Sequence, residues 1–193
     1  MANQLTTLKD VWRNFYNYVI QLIDLREDTD AQGTIDSVRK YVELRGYNVW
    51  ILISSAVIAS IGLDMNASAV IIGAMLISPL MSPILGIGLS VGINDRQLLS
   101  QALHNFVIAI VVTLLTSFIY FYAISPFSLP TEEIMSRTKP TILDVVVALF
   151  GGIAGIVAGS HKDKTNALPG VAIATALMPP LCAAGYGLSL IHI

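Results

Sequence analysis

The sequence predicts an all-α, polytopic membrane protein, and three observations support this fold class. Hydrophobic residues make up 54% of the 193 residues and charged residues only 12%, against roughly 25% charged residues in a soluble domain. Five stretches of 17 to 35 residues contain no Asp, Glu, Lys or Arg, and a helix crosses the hydrocarbon with about 17 to 25 residues. Helices rather than a barrel follow from the run length, because barrel strands are alternating segments of about ten residues.

The composition also excludes two classes of protein. Eleven basic and thirteen acidic residues give a net charge of −2, which excludes a nucleic-acid binder with a basic surface. A mean hydropathy of +0.70 excludes a disordered chain. A very hydrophobic soluble α-protein is the remaining alternative, and the five uncharged runs disfavour it. The expected partners are the lipid bilayer, an unknown ion or small solute and a second copy in a homo-oligomer, with no nucleic acid.

Residues 1–47 predict a cytoplasmic amphipathic helical segment and a linker. Apolar residues over the stretch 5–25 recur at spacings of three or four, which describes one face of a helix, and the aromatic residues there suit a membrane interface. A second helix is expected to open at Thr34 or Asp36. Two interpretations stay open, namely an interfacial or subunit-contact helix and a simple anchor with no specific partner.

The transmembrane domain is predicted over residues 48–187. Short polar turns at residues 64–67 and 161–164 make the flanking spans antiparallel neighbours, and Ser68 is free to cap the second span. The five predicted spans lie at about residues 48–63, 68–93, 102–125, 143–160 and 167–187.

Lys and Arg residues are unevenly divided between the two sides of these spans. When alternate connections are grouped, nine fall on the side of the N-terminus and two on the other side. Cytoplasmic loops carry the excess of positive charge. The N-terminus is therefore predicted to be cytoplasmic, with the first span as its own insertion signal because residues 1–10 contain no apolar signal region.

The chain also contains an internal repeat. Residues 49–90 align with residues 146–187 without a gap, and matches concentrate where residues 80–83 meet residues 177–180. Equivalent spans lie three apart and cross in opposite directions, which predicts a 3+3 inverted repeat of the kind found in transporters. Chance matching between hydrophobic sequences is the alternative. The repeat places a sixth span near residues 199–222 of a longer chain.

The last six residues, 188–193, match the translation of an adapter used in transposon-based sequencing libraries. We therefore expect the native sequence to run only to Gly187. A genuine apolar helix end is the alternative.

Two prolines lie in the middle of the second span, at Pro79 and Pro83, beside Ser78 and Ser82. Proline removes a backbone donor and breaks a helix, and neighbouring hydroxyls satisfy some of the freed groups. The fifth span carries an equivalent set, Thr175, Pro179 and Pro180. One interpretation is a pair of broken helices that line a path for an ion or solute. The other is two kinked helices that merely pack.

Gly151, Gly155 and Gly159 recur every four residues, and this glycine ladder predicts close packing of another helix. The polar and loop candidates at the membrane edge are Asp95, Arg137, Pro140 and Asp144. The simpler interpretation of the two aspartates is that each satisfies a helix N-terminus. The sequence shows no enzyme signature and no metal-ligand cluster, so neither enzyme activity nor a cofactor or metal is expected.

Three blocks of sequence resemble one known family. They are residues 70–84, residues 137–144, and residues 167–174 with 177–181, and the resemblance covers about residues 45–187. The family comprises bacterial and archaeal hydrophobic membrane proteins catalogued as domain of unknown function three hundred and eighty-nine. The resemblance implies a multi-spanning protein of the cytoplasmic (inner) membrane, often preceded by a soluble cytoplasmic domain, for which the N-terminal segment here is too short.

The Arg-Thr-x-Pro motif within this resemblance gives weight to Arg137 and Pro140, but the family supplies no substrate or reaction. The residues themselves lead to a transporter or channel for an ion or small solute, through paired proline-broken helices. A non-transporting membrane scaffold or sensor subunit, acting through the N-terminal helix and the glycine ladder, is the alternative. A membrane enzyme ranks third.

Overall fold

The computed structural model describes residues 12–18, 30–43, 46–124, 129–139, 141–160 and 169–190, and for residues 158 and 169–176 it describes the backbone alone. Within these ranges every regular element is an α-helix, which confirms the all-α prediction there. Helix α1 holds residues 12–18. The further helices are α2 (Ala31–Tyr41), α3 (Tyr47–Asp64), α4 (Ser68–Ile77), α5 (Met81–Gly92), α6 (Arg96–Ala123), α7 (Glu132–Arg137), α8 (Ile142–Ser160) and α9 (Pro169–Leu190).

The five predicted spans coincide with α3, the pair α4 and α5, α6, α8 and α9. Over the described residues, α3 and α6 are each long and apolar enough to cross a membrane, and the pair α4–α5 is a third if it counts as one bent span. The described apolar parts of α8 and α9, Ile142–Val157 and Leu177–Leu190, are shorter. The apolar helices therefore indicate a membrane protein with two or three candidate spans.

The second predicted span is broken where its prolines predict a break. Helix α4 ends at Ile77, α5 begins at Met81, and the two helices meet at 56°. Ser78 is extended, with φ −66° and ψ 127°, because Pro79 disfavours helical backbone at the residue before it. Pro83 is the third residue of α5, where a backbone N–H has no partner within the helix. Pro79 therefore accounts for the break, and Pro83 costs no helical hydrogen bond.

The fifth predicted span is not broken. Pro179 and Pro180 lie inside α9, which continues from Pro169 to Leu190, so the prediction of paired broken helices is wrong for this half. The two prolines remove two neighbouring donors, but Pro179 is fully buried and α9 packs against α3, α4, α6 and α8. These tertiary contacts hold the helix against the local preference of proline.

Helix α9 lies at the centre of the bundle, and α6 packs against α9, α3 and α5. The main core cluster includes the buried residues Leu52 of α3, Phe121 of α6 and Met178 of α9. A second, smaller cluster joins the end of α2 to α6 through Val42 and Ala102. Helices from both predicted halves therefore build the core around the broken span.

The connections gather at two ends of the bundle. At one of them, which we call the α2 end, Arg39 forms an ion pair with Asp95, the residue before α6, with 2.6 Å between Nη2 and Oδ2. The backbone N–H of Asp30 donates to the carbonyl of Ser160, the last residue of α8, at 3.0 Å. The α5–α6 turn and the end of α8 therefore lie together with α2.

At the other end, which we call the α7 end, α7 contacts the turn between α3 and α4. Thr131 Oγ1 donates to the carbonyl of Leu63 at 2.6 Å, and the N–H of Glu133 donates to Oδ1 of Asn66 at 3.0 Å. The α3–α4 turn therefore lies with the α6–α8 connection. Among the described residues, the α3–α4 turn, the α5–α6 turn, α7 and the last residue of α8 thus lie alternately at the α7 end and the α2 end.

Helix α2 begins earlier than predicted. Its first residue is Ala31 rather than Thr34 or Asp36, and Asp30 is the N-cap, since its carboxylate accepts from the N–H of Gly33. Aspartate at this position satisfies an otherwise free donor of the first turn. The prediction placed the start where apolar spacing resumes, and the cap lies just before that point.

The prediction that Ser68 caps α4 is wrong. The N-cap is Ala67, which makes no side-chain cap bond, and Ser68 is already the first residue of the helix. The Ser68 hydroxyl bonds instead to the carboxylate of Glu133. A contact with α7, distant in sequence, therefore takes the place of the local cap.

Both chain ends are described in part. Helix α1 covers residues 12–18 of the amphipathic stretch 5–25, and the ring of Trp12 is exposed; the rest of that stretch lies outside the described residues. Residues 188–190 continue α9, and residues 191–193 lie outside the described ranges. The adapter origin of residues 188–193 stays a prediction.

Candidate functional site

A cavity of about 260 Å³ lies between α2, α5 and α8. Its α5 wall consists of Met81, Ser82, Leu85 and Leu89, which follow one face of that helix. Because α5 begins at the break and its far end lies at the α2 end of the bundle, the cavity runs from the break toward that end.

The cavity wall combines hydroxyl groups with aliphatic side chains. Helix α2 contributes Thr34 and Ser37, and α5 contributes Ser82, beside the aliphatic Val38 and Leu85. Sites for small molecules share this character of an apolar lining with a few placed polar groups. Within the described ranges, no three His, Cys, Asp or Glu side chains lie together so that they could hold a metal ion. The chemistry that the wall offers a solute is hydrogen bonding to hydroxyl groups.

Helix α8 forms the third wall with the glycine ladder. Gly151 and Gly155 are buried, and Gly155 and Gly159 line the cavity. Thr34 Oγ1 lies 3.5 Å from the carbonyl oxygen of Gly159, and its proton goes to the nearer carbonyl of Asp30 at 2.6 Å. Helix α8 packs against α9 and α2. The ladder therefore borders both a packed helix and the cavity.

Two of the predicted pathway residues of the second span, Ser78 and Ser82, have different surroundings. Ser78 is buried, and its Oγ accepts from the backbone N–H of Leu80 at 3.4 Å, so it satisfies a donor that the break leaves free. Ser82 is half-buried and lines the cavity. Pro79 is half-buried and Pro83 is fully buried. Ser82 is therefore the residue of this set that the structure places in the cavity wall.

The candidates of the fifth span meet the break in the core rather than in the cavity. Leu80, beside the break, and Met178, before Pro179, belong to one buried cluster. Pro180 is half-buried, and the side chain of Thr175 lies outside the described set. Among the described residues of the cavity wall, α9 contributes none. That both halves line one path stays a prediction.

Asp95 and Asp144 each satisfy backbone donors at a helix start, which confirms the simpler interpretation of both. Asp95 Oδ1 accepts from the N–H groups of Gln97 and Leu98 at 3.0 Å each. Asp144 Oδ2 accepts from the N–H and the hydroxyl of Thr141, each at 2.7 Å. The second role of Asp95, its ion pair with Arg39, was missed because it joins distant parts of the sequence.

Arg137 lies at the α7 end and pairs with Glu133 one turn earlier, with 3.3 Å between Nη2 and Oε2. The carboxylate of Glu133 also binds Ser68, so Arg137 takes part in the contact between α7 and the start of α4. Its Nε is buried and has no hydrogen-bond partner among the residues that the structure describes. Pro140 lies outside the described ranges.

A buried polar contact between three helices was missed by the sequence analysis. Ser60 Oγ of α3 and Ser117 Oγ of α6 lie 3.0 Å apart, and Ser117 donates to the carbonyl of Cys182 in α9 at 2.9 Å. All three residues are fully buried. The available signal was a serine inside each of two apolar runs, since membrane helices use small hydroxyl residues for contacts with one another.

Comparison with known proteins agrees with the sequence blocks. The family described as a domain of unknown function, DUF389, matches residues 75–193. An uncharacterized protein, MJ0678, of the archaeon Methanocaldococcus jannaschii is 30% identical over 138 residues, which is 72% of this chain and 42% of that protein. The chain thus spans less than half the length of this curated relative. No solved structure gives a significant match. The chain belongs to the DUF389 family.

Proposed function

We propose that the chain forms part of a transporter or channel that carries an ion or small solute past the break between α4 and α5. The observation behind this proposal is the cavity, which runs from the α2 end of the bundle to the first turn of α5. Transporters place their binding sites at discontinuous helices, where backbone groups are free. Ser82 lies where the cavity meets the break.

The break supplies backbone groups for a solute in an otherwise apolar span. The last carbonyls of α4 and the first N–H groups of α5 lack partners within their helices, and the two helix ends carry opposite partial charges. Ser78 already occupies the N–H of Leu80. The carbonyl of Met75 already accepts from the N–H of Ser78 at 3.3 Å. The carbonyl oxygens of Leu76 and Ile77 and the hydroxyl of Ser82 are the groups that we assign to the path.

We further propose that α8 and α9 cross the membrane together with α3, the α4–α5 pair and α6. Their full lengths of 19 and 22 residues fall within the roughly 17 to 25 residues that span the hydrocarbon. The packing of α3 on α4 and of α8 on α9 is what the alignment of residues 49–90 with 146–187 leads us to expect. This packing supports a 3+3 inverted repeat.

Equivalent faces of α3 and α8 differ in burial, and the proposed repeat explains this difference. Leu52 and Ser60 are fully buried on α3, while their equivalents on α8, Leu149 and Val157, are 61% and 39% exposed. In the first half α6 covers α3. In the proposed repeat, the exposed face of α8 is the one on which a helix equivalent to α6 packs.

We propose that the N-terminus is cytoplasmic and that the chain lies in the inner membrane of a bacterium or archaeon. The contacts at the α2 end support the grouping of charges, because Arg39 meets Asp95 and Asp30 meets Ser160 there. These contacts place the start of α2, the residue before α6 and the last residue of α8 at one end of the bundle. In the sequence, the stretches adjoining these three points carry most of the Lys and Arg residues, and such an excess marks the cytoplasmic side.

Solute flux in proteoliposomes tests the transport proposal. Fluxes of K⁺, Cl⁻ and the uncharged solute erythritol are measured for the wild-type chain, for Ser82→Phe and for Gly88→Phe. Ser82 borders the cavity, whereas Gly88 lies on the exposed side of the same helix, and a Cβ added there meets no atom within 4 Å. We expect Ser82→Phe to abolish the flux by filling the cavity and Gly88→Phe to retain it.

Each alternative outcome removes a different part of the proposal. If no probe crosses with the wild-type chain, the transport function loses its support. If Ser82→Phe carries as much flux as Gly88→Phe, the path does not run through the cavity, and the broken-helix mechanism fails even though transport stands.

A membrane scaffold or sensor is the second candidate function. The observation that favours it is the contact of α2 with the glycine ladder, where Thr34 meets Gly159 and Asp30 meets Ser160. A sensor of this kind changes the contacts of α2 without moving a solute. A chain without flux whose α2 remains docked on α8 agrees with this second candidate.

A further inference from the structure

We infer that α2 is a lid over the cavity, fixed at its C-terminal end and able to lift at its N-terminal end. The part of this inference that says the lid controls transport rests on the proposed function. The lid itself rests on the unequal way in which the two ends of α2 are held.

The C-terminal end of α2 is anchored in the α5–α6 hairpin. Val42, the residue after the helix, is fully buried and lies against Gly86 and Ala102. Its carbonyl accepts from Nδ2 of Asn105 at 3.0 Å. Buried apolar contact and a hydrogen bond to α6 thus hold the chain at the same point.

One turn earlier, the ion pair of Arg39 with Asp95 ties the same part of α2 to the start of α6. Asp95 is itself fixed, because it caps α6. The anchored part of α2 therefore contacts a rigid helix start on one side and the small cluster around Val42 on the other.

The N-terminal end of α2 is held differently. The backbone N–H of Asp30 donates to the carbonyl of Ser160 in the last turn of α8 at 3.0 Å. Thr34 Oγ1 lies 3.5 Å from the carbonyl oxygen of Gly159 but donates its proton to the nearer carbonyl of Asp30, at 2.6 Å, so one firm hydrogen bond holds this end to α8. Carbonyls in the last turn of a helix have no partner within the helix, so that of Ser160 accepts from α2 when it is closed and from water when it is lifted. No residue of α2 itself is buried. Lifting this end exposes little apolar surface.

The lifted part of α2 is also a wall of the cavity. Thr34 and Ser37 face it from α2, opposite Ser82 of α5 and Gly155 of α8. When the N-terminal end of α2 moves away from α8, this wall opens and Ser82 becomes accessible from the α2 end. In the proposed transporter, the lid therefore sets access to the break.

Two reducible cross-links that lock opposite ends of α2 test the lid. In a Cys182→Ala background, which removes the single native cysteine, Thr34→Cys with Gly159→Cys is joined across the lifting end by a short bis-methanethiosulfonate. A Cβ added at Gly159 meets no atom within 4 Å, so the cysteine fits, and the reagent spans a wider gap than the Cβ separation of about 3.8 Å in a disulfide. The control is Glu43→Cys with Gln101→Cys at the anchored end, joined by the same reagent. There the exposed side chain of Gln101 donates from Nε2 to Oε1 of Glu43 at 3.1 Å.

We expect the cross-link between positions 34 and 159 to abolish flux and reductant to restore it, while the cross-link between positions 43 and 101 leaves flux in place. Unchanged flux with the lifting end locked would overturn the lid. Loss of flux with both cross-links would equally overturn it, because the anchored end is not expected to move.

A measurement without transport separates the lid from the proposed function. In the same Cys182→Ala background, Ser82→Cys is labelled with a membrane-impermeant maleimide, alone and together with Asp30→Pro and Thr34→Val. Asp30→Pro removes the backbone N–H that donates to Ser160, and Thr34→Val removes the hydroxyl that faces Gly159. We expect labelling from the α2 end to become several-fold faster, whereas Gln32→Ala, which changes an exposed α2 side chain, leaves the rate unchanged. Equal rates in all variants would overturn the lid, and absent flux with accelerated labelling would remove the transport proposal alone.

Discussion

Single hydroxyl groups connect the three central helices of this bundle. Ser117 of α6 lies 3.0 Å from the hydroxyl of Ser60 in α3 and donates to the carbonyl of Cys182 in α9. Gly185 allows this approach, because a Cβ added there would lie 2.7 Å from the Cβ of Ser117. In an apolar surrounding, such contacts fix which faces of neighbouring helices meet. The hydroxyl of Ser117 therefore specifies the register of α6 against α9.

A double-mutant cycle on Ser60→Ala and Ser117→Ala measures this contact. We expect Ser117→Ala to cost about 0.6 kcal/mol of unfolding free energy, with an upper limit of about 1.7 kcal/mol, as for hydrogen bonds between membrane helices. We also expect the two substitutions to be non-additive, because they remove one shared contact. The measurement is reversible unfolding in mixed micelles.

Ser55→Ala is the matched control for this cycle. Ser55 is also a buried serine of α3, but its hydroxyl donates to the carbonyl of Leu52 within its own helix. We expect the effects of Ser55→Ala and Ser117→Ala on the unfolding free energy to be additive. Additive effects of Ser60 and Ser117 would show that their contact carries no coupling.

For single residues, contacts with neighbours in the sequence were predictable, and contacts with residues distant in the sequence were not. The roles of Asp95 and Asp144 as helix-start residues follow from their positions just before or within a first turn. The Ser60–Ser117 contact joins residues 57 positions apart, and nothing in either apolar run indicates its partner. The same holds for Ser68, whose hydroxyl was expected to cap its own helix and instead binds Glu133.

The geometry of the α4–α5 pair and the docking of α2 each depend on a single residue. The break follows from Pro79, which holds Ser78 extended, and it was predictable because the effect of proline on the preceding residue is local. The continuity of α9 through Pro179 was not predictable, because it depends on the helices packed around α9. Prolines at equivalent positions of the two halves therefore do not give the two halves the same backbone conformation.

The docking of α2 depends on a glycine of α5. A Cβ added at Gly86 would overlap the side chain of Val42 and lie 3.1 Å from the Cβ of Ala102. Val42 is fully buried and β-branched, so it has few rotamers with which to give way. A side chain at position 86 therefore competes with the anchored end of α2.

We expect Gly86→Ala to loosen α2 and to destabilise the chain by about 1–3 kcal/mol, the usual cost of overpacking. The measurement is limited proteolysis with trypsin at Arg39 and Lys40, combined with thermal unfolding. Gly88→Ala is the control, since a Cβ added there meets no atom within 4 Å on the same helix. Equal proteolysis of both variants would contradict the anchoring role of Gly86.

For the whole molecule, the order of the helices was predictable and the cavity was not. Uncharged runs and polar turns can be located directly in the sequence. They predicted both ends of α3 and α8 and the end of α6 to within a few residues, but α6 begins earlier than predicted. The cavity exists because α2 reaches α8, a contact between residues 125 positions apart. The sequence analysis described α2 as an interfacial helix or an anchor, and neither interpretation placed it beside the break.

The alternation of connections between the two ends makes a prediction for the whole chain in its membrane. Met65 directly follows α3 at the α7 end and Ile93 directly follows α5 at the α2 end, and both side chains are exposed. In a Cys182→Ala background, we expect an impermeant maleimide to label Met65→Cys in intact cells and Ile93→Cys only in inverted membrane vesicles, because the positive charge at the α2 end marks the cytoplasmic side. Labelling of both positions from one side would contradict the alternating order of the connections. The reverse pattern would keep that order and contradict the cytoplasmic N-terminus, so the single pair of cysteines tests the packing of the bundle and its orientation separately.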